Sequence, residues 1–237
     1  MKVSKSIGWC LVTTCVSAVL IASEPASAQQ YIAEYQGTVQ NGTDALGIFG
    51  AAGADLTGLD FDAQFIFDPS TATTTYDDGV QAYFRNALET AILTINGHSY
   101  TWGPNNDGFV DVLNNLPSSP LYSEDEDLRQ DQADDNNGRI YLSIYSGQHS
   151  LFTTDDYTAP FDHSVDASTE YAGGAFNLGG FYNGPTSGNL LATQVTVSAY
   201  VPSVPEPSTW ALMLFGFGAI GAAMRRIRKT DRLPQLA

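Results

Sequence analysis

Apolar and polar residues alternate with a period of two in the middle of the chain, and this pattern narrows the choice of folds more than any other. Three runs show it clearly, at 61–67, 140–145 and 193–201. Successive side chains of a β-strand point to opposite faces of a sheet, and these runs are rich in β-branched and aromatic residues. They predict half-buried antiparallel strands, and the sequence between 29 and 203 has no convincing amphipathic helix pattern.

Turn sequences separate the predicted strands. Asn96-Gly97 lies between the runs 91–95 and 98–102, and such a pair favours the two-residue turn of a β-hairpin. Other turn signals are Asn41-Gly42, Asp78-Gly79, Asn137-Gly138 and Asn183-Gly184. Roughly eight to ten short strands joined in this way favour an all-β fold, specifically an antiparallel β-sandwich of the jelly-roll kind.

The last part of the chain has a different sequence pattern from the strand-rich region before it. Residues 208–224 contain no Asp, Glu, Lys or Arg and are just long enough to span a bilayer core of about 30 Å. A basic cluster follows, made of Arg225, Arg226, Arg228 and Lys229. Positive charge beside a membrane helix favours the cytoplasmic side. We therefore predict a single transmembrane helix, with the domain on the opposite side and a short cytoplasmic tail at 230–237.

A proline motif introduces the apolar stretch. It consists of Pro205, Glu206 and Pro207, and Trp210-Ala211 follow shortly after. With the basic cluster, residues 204–229 closely resemble the PEP-CTERM sorting signal of Gram-negative bacteria, in the variant with Trp-Ala after Pro-Glu-Pro. The resemblance implies recognition by exosortase, a membrane-embedded cysteine transpeptidase-like enzyme. It implies processing at or near Pro-Glu-Pro, which makes these residues a substrate motif rather than a catalytic one.

The N-terminus predicts export. Lys2 and Lys5 precede an apolar stretch, and Ala26-Ser27-Ala28 then supplies the small-x-small pattern that signal peptidase recognises. We predict a signal peptide at 1–28, cleaved after Ala28 so that Gln29 becomes the first residue; an uncleaved anchor is the alternative. The expected route is Sec export, transient anchoring in the inner membrane with the domain in the periplasm, and then the cell surface or the medium.

Removal of both ends leaves one domain, residues 29–203, long enough to bury a core. Both cysteines, Cys10 and Cys15, lie in the predicted signal peptide, so this domain has no disulfide and no cysteine metal site. The formal net charge of the chain is −16, and the domain's lysines and arginines are Arg85, Arg129 and Arg139 alone. Such a domain repels nucleic acid and attracts cations, or is simply soluble.

Acidic residues crowd one stretch, 117–137, which we predict to be an irregular insertion between strands. They are Glu124, Asp125, Glu126, Asp127, Asp131, Asp134 and Asp135. Carboxylate oxygens are the ligands that calcium prefers, so a weak calcium site is predicted, with Asp131, Asp134 and Asp135 as candidate ligands. The spacing fits no EF-hand, and a solvated run of charges is the alternative. No other cofactor is predicted.

Aromatic residues suggest a second kind of site. The C–H faces of sugars pack on flat rings, and Tyr100, Trp102 and Tyr122 are the candidates for such a platform. Placement of these rings in the core and in cross-strand pairs is the alternative.

A glycine-rich loop at 42–58 precedes the strand at 61–67. Its glycines do not have the spacing of a dinucleotide-binding fingerprint, and no lysine follows as in a P-loop. The pattern GTD…GIFG..G.DLTG..F…F.FD, which starts at Gly42, resembles a recurring N-terminal module of PEP-CTERM surface proteins. That resemblance implies no activity.

The sequence contains no convincing catalytic constellation. His98, His149 and His163 are scattered, and no nucleophile elbow is present. We therefore expect a non-enzymatic surface or matrix protein, processed by signal peptidase and exosortase. The resemblance implies exopolysaccharide and biofilm as its setting, and so an extracellular polysaccharide as its neighbour. The alternatives are an extracellular carbohydrate- or calcium-binding module and a polysaccharide hydrolase that uses carboxylates.

Overall fold

The computed structural model describes residues 29–103, 108–116, 126–148, 151–180 and 184–201, together with residues 217 and 220. In these ranges the regular secondary structure is antiparallel β-strand, apart from a 3-10 turn at Pro69–Thr71 and helical backbone at residues 217 and 220. This confirms the predicted all-β class.

The described strands form a single sheet of 13 strands. They are β1 (Tyr31–Asp44), β2 (Ala54–Asp55), β3 (Asp60–Phe67), β4 (Thr74–Asp77), β5 (Gln81–Arg85), β6 (Leu88–Ile95), β7 (His98–Trp102), β8 (Phe109–Leu116), β9 (Glu126–Asp135), β10 (Gly138–Ser146), β11 (Phe161–Ser164), β12 (Glu170–Leu178) and β13 (Thr186–Ala199). Their order in the sheet is β4-β5-β8-β9-β10-β12-β13-β1-β3-β6-β7, and β2 and β11 pair with β1 and β13.

The sheet curls so that its two halves face each other across one core. Strand β9 belongs to one half, yet it contacts β3, β6 and β7 of the other. Strands β1 and β13 pair along almost their whole length and join the halves, with bulges at Gln36/Gly37 and Val39/Asn41 where the pairing shifts. Bulges bend a strand and increase its twist. The sequence predicted a sandwich of two sheets, whereas the structure has one curled sheet. The reason is that β1 and β13 each pair with a strand on both sides and so connect the two halves.

The three alternating runs lie where the sequence predicted strands. The first is β3, in which Phe61, Ala63, Phe65 and Phe67 are buried. The second is β10, which is buried at every second residue. The third is β13, which starts earlier than the pattern indicated, at Thr186. Thr193 is exposed because it is the extra residue at a bulge, and the inward positions resume at Val195 and Val197.

The hairpin predicted at Asn96-Gly97 is confirmed, since these two residues connect β6 and β7. Their φ angles are 52° and 76°. Positive φ at both central residues is the conformation that an Asn-Gly pair adopts most readily, and its twist matches that of the flanking strands.

The acidic stretch at 117–137 differs from its prediction. Residues 126–135 form the ten-residue strand β9, not an irregular insertion. Residues 117–125 lie outside the described ranges. Strand β9 pairs with β8 on one side and β10 on the other. Its inward positions include Asp127, Arg129 and Asp131, all buried, so the hydrophobic pattern that identifies a strand is absent.

A buried ion pair lies at the centre of the core. Arg129 donates from Nε and Nη2 to the two carboxylate oxygens of Asp131, at 2.9 Å each. Its Nη1 donates to the carbonyl of Tyr157, and the hydroxyl of Tyr35 donates to Asp131 at 2.7 Å. The guanidinium also lies 5.4 Å from the centroid of the Phe67 ring. Burial, and then the charge of Asp131, raises the pKa of Tyr35 well above its ordinary value, so its hydroxyl stays a donor.

The glycine-rich loop folds around a buried aspartate, Asp44. Its carboxylate accepts the backbone N–H groups of Ile48 and Phe49 at 2.9 and 2.7 Å. The hydroxyl of Thr186 on β13 donates to it at 3.2 Å. Phe49 thereby enters the core and packs edge-on against Phe176, with ring centroids 5.6 Å apart. These contacts give Asp44 and Phe49 a structural role, because they hold the loop against the core.

The buried network around Arg129 predicts that two aspartates on β9 contribute very differently to the free energy of unfolding. Asp131→Asn should lower the free energy of unfolding by about 3–5 kcal/mol, because it leaves the charge of Arg129 buried and uncompensated. Asp134→Asn is the matched control: Asp134 pairs with Arg139, whose side chain is 24% exposed, against 3% for Arg129. It should cost clearly less. Thermal melts followed by circular dichroism measure both, and equal losses would contradict the assignment of the core charge.

Candidate functional site

The residues predicted to direct sorting lie almost wholly outside the described ranges. This holds for Pro205, Glu206, Pro207, Trp210 and Ala211, for the basic cluster at 225–229, and for Ala26 and Ala28. Gln29, the predicted first residue of the mature protein, is exposed ahead of β1. Among the described residues, no helix has the length and apolar character needed to cross a membrane.

The three candidate calcium ligands have different partners. Asp131 is buried against Arg129 and Tyr35. Asp134 accepts from Arg139 Nε at 2.6 Å, and Asp135 accepts the backbone N–H groups of Asn137 and Gly138 in the β9–β10 turn. In the described parts of the chain, no three His, Cys, Asp or Glu side chains form a group that could hold a metal ion. Calcium binding stays a prediction, without the open loop on which it was based.

The predicted aromatic platform requires a correction. Trp102 is fully buried, with an exposure of 0%, so its ring cannot offer a surface to a ligand. Tyr100 packs edge-on against it, with centroids 4.7 Å apart and ring planes at 74°. This is the arrangement expected of a core pair. Tyr122 lies outside the described ranges.

A polar face covers the outside of the sheet from β11 to β7. Its residues form two cross-strand rows, in the order β11, β13, β1, β3, β6, β7. One row is Asp162, Thr196, Glu34, Gln64, Ile92 and Thr101, and the other is Ser164, Gln194, Gln36, Asp62, Thr94 and Ser99. Amide and hydroxyl groups make up five of the six side chains in the second row and three of the six in the first, which also has two carboxylates; neither row contains a lysine or an arginine.

Two carboxyl groups approach each other in this polar face. The side-chain amide of Gln36 donates to both Glu34 and Asp62, at 3.2 and 3.0 Å. Gln64 also donates to Glu34, at 3.3 Å. Burial, followed by a hydrogen bond to Glu34 and repulsion from it, raises the pKa of Asp62 to about 6. Asp62 therefore holds a proton under mildly acidic conditions.

An open trough lies on the outside of the sheet, at the end of β1 remote from Tyr31. Its volume is about 700 Å³. Its lining includes Asn41, Thr43, Asp55, Asn177, Ser187 and Asn189. The register places Asp55, Thr43, Ser187 and Asn177 in one row across β2, β1, β13 and β12. In the neighbouring row, Asn189 donates from Nδ2 to Asn41 Oδ1 at 2.9 Å. The trough can therefore donate and accept hydrogen bonds along its length.

Sequence reasoning did not identify the trough. Its polar residues come from β1 and β2 near the start of the domain and from β12 and β13 near its end, and each alone is an ordinary outward-facing strand residue. Only the register brings them together. The turn signal at Asn41-Gly42 was noted, but the pair lies within β1, beside one of its bulges.

The carboxyl pair predicts a pH-dependent effect. The folded state binds the proton of Asp62 more tightly than the unfolded state does, because its pKa is about 6 against a reference of 3.8. The resulting stabilisation is complete below pH 3.8 and is lost as the pH rises through 6. Asp62→Asn should therefore raise Tm at pH 8 and give no gain at pH 3.5. The gain should stay below about 1 kcal/mol, or about 2–4 °C, because the carboxyl is partly exposed.

Melting curves of the wild type and of Asp62→Asn, recorded between pH 3.5 and pH 8, measure this effect. Asp60→Asn is the control, since Asp60 lies on the same strand and is exposed. It should change Tm less. A gain from Asp62→Asn that is the same at both pH values would contradict the raised pKa of Asp62.

Comparison with known proteins identifies the C-terminal segment. No curated protein and no solved structure matches the chain. The family model of the PEP-CTERM protein-sorting motif matches residues 203–229, which agrees to within one residue with the segment predicted from Pro-Glu-Pro, the apolar stretch and the basic cluster. The described β-domain ends at residue 201, so the match begins just beyond it. The chain therefore carries a PEP-CTERM protein-sorting motif behind an antiparallel β-domain.

Proposed function

We propose that this chain is a secreted or cell-surface structural protein, exported through the Sec route and processed by signal peptidase and exosortase. The sorting motif at 203–229 carries the proposal. A motif of this kind implies export and processing at the membrane towards the cell surface. The body ahead of it is then the part delivered, and its anchored form faces the periplasm before release.

The way the domain closes supports processing at both ends. Tyr31, at the start of β1, pairs with Ala199, at the end of β13. The backbone N–H of Tyr200 also donates to the carbonyl of Gln30 at 2.8 Å. The chain thus enters and leaves the domain at one point. Cleavage after Ala28 and near Pro205 would cut outside the paired strands, so neither cut would open the core.

The body acts, on this proposal, without catalysis. Several of its carboxylates already have structural partners: Asp44 holds a loop, Asp127 accepts the N–H groups of Leu151 and Phe152, and Asp131 and Asp134 pair with arginines. A hydrolase that uses carboxylates remains the alternative. Turnover of a polysaccharide that is lost on a single Asp or Glu substitution would establish it.

An extracellular polysaccharide is the proposed neighbour of the released domain. The outer surface supports this, because the polar face and the trough both present amide and hydroxyl groups that can replace water around sugar hydroxyls. A role in exopolysaccharide or biofilm would follow from that contact.

Intact-mass analysis of the protein released by its native host tests the sorting proposal. The expected product begins at Gln29 and lacks the segment beyond Pro-Glu-Pro, including the basic cluster at 225–229. Replacement of Pro205, Glu206 and Pro207 by alanine should leave the protein in the membrane fraction. Pro202→Ala is the matched control: it lies in the same linker but ahead of the motif, and should be processed normally.

Two results would overturn the proposal. One is released protein that still carries Arg225 to Lys229. The other is normal release of the triple-alanine variant. Deletion of the host's exosortase separates this route from nonspecific proteolysis, because only the exosortase product should then disappear.

A further inference from the structure

Strands β12, β10 and β9 carry a grid of outward-facing side chains beside the trough. The register gives four rows in the order β12, β10, β9: Tyr171, Tyr145 and Leu128; Gly173, Ser143 and Gln130; Ala175, Tyr141 and Gln132; Asn177, Arg139 and Asp134. We call this set the tyrosine grid. Tyr171 is 48% exposed, and Tyr141 and Tyr145 are half-buried.

The phenol end of Tyr171 lies over Gly173, in the next row of the grid. A Cβ atom added to Gly173 would lie 2.6 Å from the Tyr171 hydroxyl oxygen and 2.9 Å from its Cζ atom. The ring therefore covers the backbone of Gly173, two residues further along the same strand. Gly173, although it is on the outward side, is buried. With 48% of its surface exposed, Tyr171 presents part of its ring to solvent.

Along β12, the outward-facing residues between this ring and the trough are small. Gly173 and Ser143 occupy the adjacent row, and Ala175 the row after it. Nothing long on β12 therefore separates Tyr171 from the polar trough. Ala175 and Asn177 belong both to the tyrosine grid and to the lining of the trough. The exposed ring and the trough thus form one continuous surface on the outside of the sheet.

The chemistry of this surface selects a class of ligand. A flat ring suits the C–H face of a pyranose whose hydroxyls are equatorial, while amide and hydroxyl groups suit those hydroxyls. The trough has the size of a ligand site but is open to solvent, which fits a polymer better than an enclosed small molecule. Asp55 in the trough and the net charge of −16 oppose an anionic polymer.

We propose that Tyr171 and the trough form a binding surface for a neutral polysaccharide with a flat, β-1,4-linked backbone. One sugar residue stacks on Tyr171, and its neighbours donate to and accept from Asn177, Asn189 and Asn41. This site is distinct from the platform predicted at Tyr100, Trp102 and Tyr122. It depends on the proposed function only for its extracellular setting, because binding does not require sorting.

Affinity electrophoresis of the full-length chain tests the proposal. Native gels containing hydroxyethylcellulose or galactomannan provide neutral β-1,4-linked polymers, and gels containing alginate provide an anionic one. A detergent without a sugar headgroup keeps the chain in solution and avoids competition. The wild type should be retarded by at least one neutral polymer and not by alginate. Tyr171→Ala and Asn189→Ala should each weaken binding about tenfold or more, while Tyr171→Phe, which keeps the ring, should bind nearly as well as the wild type.

Tyr76→Ala is the matched control. Tyr76 is 51% exposed on β4, outside the tyrosine grid, and its removal also leaves the charge unchanged. It should migrate like the wild type, and thermal melts confirm that each variant is folded. Three results would overturn the proposal: no retardation by either neutral polymer, equal retardation by alginate, or unchanged binding by both Tyr171→Ala and Asn189→Ala. Failure of exosortase processing would affect none of these measurements.

Discussion

The pairing of β1 with β13 is the interaction on which the rest of the structure depends. It joins residues at the two ends of the domain, from Tyr31↔Ala199 to Asp44↔Thr186, and connects the two halves of the curled sheet. At one end it brings together the points where the chain enters and leaves. At the other it places Thr186 beside Asp44, whose carboxylate holds the glycine-rich loop closed. The trough lies over the same pair of strands. The closure of the domain, the position of the glycine-rich loop and the trough therefore all depend on the hydrogen bonds between β1 and β13.

The acidic composition has an internal as well as an external role. A domain with so few cations would be expected to keep its carboxylates in water, since a buried charge is costly unless it is paired. Here the described arginines Arg129 and Arg139 are paired with Asp131 and Asp134. Asp44 and Asp127 are buried by accepting backbone N–H groups instead. Carboxylates thus organise loops without needing a cation, while those on the outside keep the surface negative.

Part of this arrangement follows from the sequence, and part requires the register. Apolar alternation predicts β3, β10 and β13, and Asn96-Gly97 predicts the β6–β7 hairpin, because in these elements hydrophobicity and local geometry agree. Strand β9 is missed because Asp127, Arg129 and Asp131 occupy its inward positions, and a hydrophobic pattern cannot represent an ion pair. The sequence does contain one signal for this strand, since Asp127, Arg129 and Asp131 are spaced two residues apart, as side chains on one face of a strand are. The position of Tyr171 over Gly173 is similar: the Tyr-x-Gly-x-Ala spacing is visible in the sequence, but only the register brings Ser143 and the polar residues of the trough beside it.

The closure of β1 on β13 also determines how the domain would bear a load. The chain leaves the domain at residue 201, beside the Tyr31–Ala199 end of the β1–β13 pair. The trough lies around Asn41 and Asn189, near the other end of the same two strands. Strand β13 has 14 residues, a length of about 45 Å at the usual rise per residue. Before exosortase processing, a polymer held at Asn41 on β1 and the anchor beyond residue 201 would pull in opposite directions along the strand axis. The force would then shear the β1–β13 hydrogen bonds together instead of opening them one at a time, which is the stronger way to load a pair of β-strands.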